Sequence, residues 1–150
     1  MKPSKIPFGA SRITASKIPE DTNLRFSFKL LDLQTNEKFG LHHTEKNGYW
    51  GKLLLRLKDV NGMRSKEFRE NWSRQLRNHR INFSETSEPR GFAQLNEQLQ
   101  GEEAWQFELT QSEHGRVHGL LMGDTFYIVW LDPCHKLYPS DNEQCHIAPA

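Results

Sequence analysis

Apolar and polar residues alternate in two parts of this chain, and between them the apolar positions recur at helical spacing. Leu24, Phe26, Phe28 and Leu30 are separated by Arg25, Ser27 and Lys29, the two-residue period of a strand with one wet face. Turn-forming types gather at Gln34–Asn36 and are expected to end it. From Tyr49 the period changes. Tyr49, Leu53, Leu57 and Val60 share one helical stripe, with Trp50 and Leu54 widening it and Lys52, Arg56 and Asp59 opposite. Asn47 offers an N-cap before Gly48, and Asn61-Gly62 offers a stop. A second helix is expected from Ser65, as N-cap, to about Leu76, on the repeat Phe68, Trp72, Leu76. A short third is expected over residues 92–99, between Gly91 and Gly101.

In the last third the period returns to two. Trp105, Phe107 and Leu109 alternate with Gln106, Glu108 and Thr110, and Ser112 to Gly115 reads as a turn. Residues 117–122 and 125–131 are β-rich runs on either side of Gly123-Asp124, a hairpin signal. Phe126 to Leu131 is apolar on both faces. It is therefore expected in the centre of a sheet, covered by helices on one side, and to end at Asp132-Pro133. The fold class that follows is α+β: an antiparallel sheet of about four strands with two or three helices packed on one face. Residues 1–150 read as a single domain, with an irregular arm over 1–23 and a flexible tail over 139–150.

Composition narrows the setting. A chain of 150 residues is long enough to bury a core. No run approaches the roughly 18 apolar residues of a membrane span, and the basic start lacks the apolar stretch of a signal peptide. Two cysteines, Cys134 and Cys145, are too few for a disulfide framework, so a reducing, cytoplasmic setting is expected. The net charge of +1 excludes a uniformly cationic nucleic-acid binder. Its distribution does not exclude a local one: residues 56–90 hold nine Lys/Arg against five Asp/Glu, a local +4.

That basic stretch is the first candidate for chemistry. Arg64, Lys66, Arg69, Arg74, Arg77 and Arg80 fall on and after the second helix, with Trp72 and His79 among them. Guanidinium forks suit phosphate oxygens; a solvated helix face is the plainer reading. The second candidate is Arg116-Val117-His118, where the strand period points Arg116 and His118 the same way, a phosphate and proton-transfer pair. The third follows the apolar strand. There His135 is a proton carrier near neutral pH, Lys136 a phosphate neutraliser, and Tyr138 a hydrogen-bond donor or a surface for a base. Seven histidines raise the question of a metal, but no HExxH or CxxC spacing occurs and none is expected. Without a GxSxG, a phosphate-binding glycine loop or GxGxxG, no nucleophilic triad and no cofactor is expected either.

A basic helical segment followed by antiparallel strands resembles the RelE/YoeB-type messenger-RNA interferases. The run from Gly115 to Tyr138, GRVHGLLMGDTFYIVWLDPCHKLY, is similar to their C-terminal half. There a basic residue opens one strand, a short turn follows, and an apolar strand leads to a polar tail. The resemblance covers residues 48–138 and rests on pattern. It implies metal-independent cleavage of RNA, a toxin role, RNA or ribosome as target, and a small acidic antitoxin as partner. Arg116 with Arg77 or Arg80 would then hold the phosphate, alongside Arg74 and Lys136 as RNA contacts. His118 or His135 would act as base or acid, and Tyr138 would stack or donate. The chain departs from that family in its N-terminal strand and arm and in its near-neutral charge. It also looks like short proteins carried on phages, plasmids and integron cassettes. The alternative is a non-enzymatic module that binds protein or nucleic acid through the same basic face or an exposed aromatic patch.

Overall fold

The computed structural model describes residues 22–139, apart from 34, 46, 47 and 111–113. Residues 1–21 of the expected arm, 140–150 of the expected tail, the Asn47 cap and half of the turn at 112–115 therefore lie outside the described residues. The elements are β1 (Arg25–Ser27), α1 (Tyr49–Asn61), α2 (Ser65–Glu70), β2 (His79–Arg80), α3 (Glu97–Gln100), β3 (Glu103–Glu108), β4 (Arg116–Met122) and β5 (Thr125–Asp132). Short 3-10 turns occupy Glu37–Phe39, Leu41–Thr44 and Phe83–Glu85. The strands make one five-stranded sheet in the order β1-β5-β4-β3-β2. β2 to β5 pair antiparallel, whereas β1 joins β5 in parallel. The α+β class holds; the sheet is mixed and has one strand more than the pattern suggested.

The expected elements are shortened by local hydrogen bonds. The first strand stops at Ser27, whose hydroxyl accepts from the Lys29 amide at 3.1 Å and begins a turn; Phe28 is left exposed. α2 stops at Glu70, and its N-cap position is Arg64 instead of Ser65. Asn78 supplies the physical reason: its amide nitrogen donates to the Phe68 and Asn71 carbonyls and its oxygen accepts from the Ser73 amide. The chain is thereby drawn out of the helix, Trp72 turns to solvent at 60% exposure, and Leu76 still reaches the core. Of the third expected helix only Glu97–Gln100 forms, capped by Asn96. In α1 the stripe Tyr49, Leu53, Leu57 and Val60 is buried as expected, but Trp50 and Leu54 remain exposed and do not widen it.

Both faces of the sheet are covered. On the first, α1 and α2 lay Leu53, Leu57 and Phe68 onto Phe107, Val117, Phe126 and Ile128. Phe107 alone meets the rings of Phe26, Phe68 and Phe126 at centroid separations of 5.2–6.1 Å. On the second, Phe39, Phe92 and Leu137 from loops and 3-10 turns cover Leu120, Val129 and Trp130. Helices on one side only was the expectation for β5; segments without regular helix close its other side. A bulge makes this possible. Gly119 pairs with Ile128 and His118 with Trp130, leaving Val129 as the extra residue, so two successive side chains enter the second layer. Gly119 is required there, since a Cβ would lie 2.1 Å from the Tyr127 carbonyl oxygen. The hairpin at Gly123-Asp124 forms as expected, with φ +64° at Gly123.

Candidate functional site

Strand alternation puts five polar side chains on the second face, beyond the end of its apolar patch. Gln106 and Glu108 come from β3, Arg116 and His118 from β4, and Asp132 from β5. Gln106 stands opposite His118, Glu108 opposite Arg116, and Arg116 opposite Asp132. Four of the five are at least 98% buried, and Arg116 is the partial exception. Buried polar groups at this density are costly unless hydrogen-bonded, so their partners matter.

His118 and Asp132 form the tightest pair, with His118 Nε2 2.9 Å from Asp132 Oδ2. Asp132 Oδ1 also accepts from the Lys136 amide at 2.7 Å, and Oδ2 from the Leu137 amide at 3.0 Å. Burial by itself would raise the Asp132 pKa, but the His118 bond and these two amides outweigh it and hold the carboxyl below its ordinary value. Burial lowers the His118 pKa, opposed in part by Asp132. The stable form is thus an aspartate accepting Nε2–H from a neutral imidazole, with Nδ1 left as a lone pair. That atom has no hydrogen-bond partner among the described residues. Phe39 closes over the ring, edge-on at a centroid distance of 6.1 Å, while stacking on Trp130 at 4.4 Å.

The second pair is looser. Glu108 Oε2 lies 3.5 Å from Arg116 Nη2 and 3.8 Å from Arg77 Nη1. Glu108 Oε1, Arg116 Nε and Gln106 Oε1 also lack hydrogen-bond partners among the described residues. Gln106 uses its amide nitrogen on His79 Nε2 at 2.9 Å. His79 in turn meets the Tyr138 ring at 5.9 Å, and the Tyr138 hydroxyl accepts from the Asn82 amide at 3.0 Å. The two non-glycine residues with positive φ among the described ones are Arg77 (+49°) and His135 (+55°), and both border this cluster. Backbone strain of this kind costs on the order of 1 kcal/mol or more and concentrates at functional sites.

Six of the eight residues singled out in the sequence converge here. Arg116 and His118 lie in the block, and His135 acts electrostatically on His118. Lys136 contributes its backbone amide to Asp132, Tyr138 packs on His79, and Arg77 faces Glu108. Arg80 sits exposed on β2, and Arg74 is exposed with no hydrogen bond or ion pair among the described residues. Elsewhere in the basic stretch, Arg69 is spent on Glu103 and the Gly123 carbonyl. Glu108, Gln106 and Asp132 were missed as site residues. Their strand face read as wet, and Asp132 read as a strand stop; the signal was that the polar positions of β3 match those of β4 in number and period. Cys134 is disulfide-bonded, and Cys145 lies outside the described residues. No group of His, Cys, Asp and Glu suited to a metal ion occurs among the described residues, and no helix there is long and apolar enough to cross a membrane. No protein-family model, curated protein or solved structure matches this chain.

Proposed function

We propose that the chain is an endoribonuclease that cleaves RNA with its own side chains, in the manner of the RelE/YoeB-type interferases it resembles. One observation carries the reading: an aspartate-oriented histidine with a bare Nδ1 stands beside a half-buried arginine on the same strand, at consecutive same-face positions. That pairs a proton acceptor with a cation suited to a phosphate oxygen on one face of one strand. His118 Nδ1 takes the proton of a ribose 2′-hydroxyl. The 2′-oxygen attacks phosphorus while the bond from phosphorus to the 5′-oxygen breaks, and the leaving oxygen receives a proton from His135. Arg116 and Arg77 offset the charge on the phosphate oxygens, and Tyr138 and His79 offer ring surfaces to a neighbouring base. His118 has no solvent exposure, so the segment 36–44 that carries Phe39 moves aside when RNA enters.

Growth after induced expression in bacteria tests the proposal as a toxin. The wild type is expected to arrest growth with cleaved messenger RNA, and an Arg116→Ala/His118→Asn variant that accumulates as folded protein is expected not to. Absence of arrest, or equal arrest by both, removes the assignment of this site. A second reading, a protein-binding module, is favoured by one observation: Trp50, Leu54, Leu55 and Trp72 are 45–64% exposed on α1 and after α2. It predicts that Leu54→Ser, and not the Arg116/His118 changes, removes the phenotype.

A further inference from the structure

The ion pair at Glu108 has an unusual form. A carboxylate that merely neutralised Arg116 would use both oxygens on the guanidinium fork, through Nε and Nη2. Here one oxygen does all the pairing. Glu108 Oε2 stands between Arg116 Nη2 and Arg77 Nη1, at 3.5 and 3.8 Å, while Oε1 and Arg116 Nε find no hydrogen-bond partner among the described residues. Two guanidiniums thus face one carboxylate and neither is saturated. The arrangement is also held against resistance: Arg77 keeps φ +49°, and its amide is tied to the Ser73 carbonyl at 2.6 Å. Leu76, just before it, is fixed by the hydrogen bond from the Glu108 amide to its carbonyl. Glu108 is 98% buried, whereas the Arg77 side chain is 54% exposed, so the opening lies on the Arg77 side.

We infer that Arg77 and Arg116 form a seat for a phosphoryl group, and that Glu108 is a built-in counter-anion keeping the two guanidiniums converged until a phosphate displaces it. The inference rests on the reading of these arginines as phosphate ligands in the proposed reaction, and it assigns Glu108 as a positioning residue. Its consequence is counter-intuitive. Removing the negative charge with shape preserved strengthens anion binding, because the competitor inside the seat is lost. It also weakens turnover, because two guanidiniums freed of their common partner no longer hold one geometry.

The probe is inorganic phosphate, titrated into the full chain and followed by amide chemical shifts, which needs no cleavage. Glu108→Gln is expected to bind phosphate at least about tenfold more tightly than wild type, and adding Arg77→Ala to it is expected to cancel the gain. Arg77→Ala alone, at an exposed position that folding tolerates, is expected to weaken phosphate binding several-fold. Unchanged or weaker phosphate binding by a folded Glu108→Gln variant overturns the inference, as does wild-type affinity in Arg77→Ala. If the phosphate effects appear and no RNA is cleaved, the seat stands and only the ribonuclease reading falls.

Discussion

The two faces of the central sheet are covered by different means and leave different residues of chemistry behind. The first is packed by α1 and α2, and its core is apolar: among the described residues its one buried polar atom without a hydrogen bond is the Tyr49 hydroxyl. The second is closed by 3-10 turns and loops, and at one end it buries Gln106, Glu108, His118 and Asp132, with Arg116 half-buried beside them. Four of those side chains keep an unpartnered atom. A helix presents one continuous stripe and so excludes polar groups efficiently. A loop cover is stitched from single anchors such as Phe39 and Leu137, and it tolerates a polar pocket beneath. The first face is thus closed by apolar packing alone, and the second combines an apolar patch with a buried polar cluster.

The largest expected separation between the faces is in activity. Arg116→Ala and His118→Asn are each expected to lower RNA cleavage about a hundredfold or more, measured on variants with native spectra. Phe107→Ala, on the first face, is expected to lower activity only in proportion to the protein lost to unfolding. Next comes stability. Phe107→Ala removes the ring on which Phe26, Phe68 and Phe126 converge and is expected to cost about 3–5 kcal/mol in denaturant unfolding. Asp132→Ala leaves His118 Nε2–H and two backbone amides without their acceptor, a similar cost of about 3–5 kcal/mol at pH 7.

Acid distinguishes these two losses. The folded pKa of His118 lies below its ordinary 6.5, so on acidification the unfolded chain takes up that proton first. The stability from neutral His118 is complete above about pH 6.5 and declines as pH falls below it. Asp132 has the same sign, its contribution being lost further down as pH falls through its lowered folded pKa. Removing Asp132 takes away the group that holds the His118 pKa up, so denaturant midpoints measured from pH 7 to pH 4 should show the Asp132→Ala penalty growing and the Phe107→Ala penalty constant. A constant Asp132 penalty would mean the pair carries no pH-dependent stability. The smallest effect is expected on the outer surface of α1, where Leu54→Ser should change stability by no more than about 0.5 kcal/mol.

The sequence was most legible where one physical period ran unbroken. The stripe of α1, the hairpin read at 117–122 and 125–131 and the apolar centre of β5 all follow from unbroken runs of one pattern. It was least legible where a single side chain redirected the backbone. Asn78 ending α2 acts from eight residues away, and Ser27 ends β1 through a local turn, effects that periodicity averages out. β2 is two residues long and has no period to read; it exists because β3 offers it an edge. The same limit applies to the site. Arg116 and His118 share a face by the strand period, so they were found together. Glu108 and Asp132 complete their pairs only through strand register, which alternation on one strand does not contain.

Cleavage of a short single-stranded RNA by the purified chain, with a matched oligonucleotide carrying 2′-deoxyribose at the cut position, tests the claim that the second face is a reaction site most directly. Cutting of the RNA to 2′,3′-cyclic phosphate ends is expected, with loss of cutting in His118→Asn and a resistant deoxy strand. An uncut RNA, or equal cutting of the deoxy strand, would contradict it.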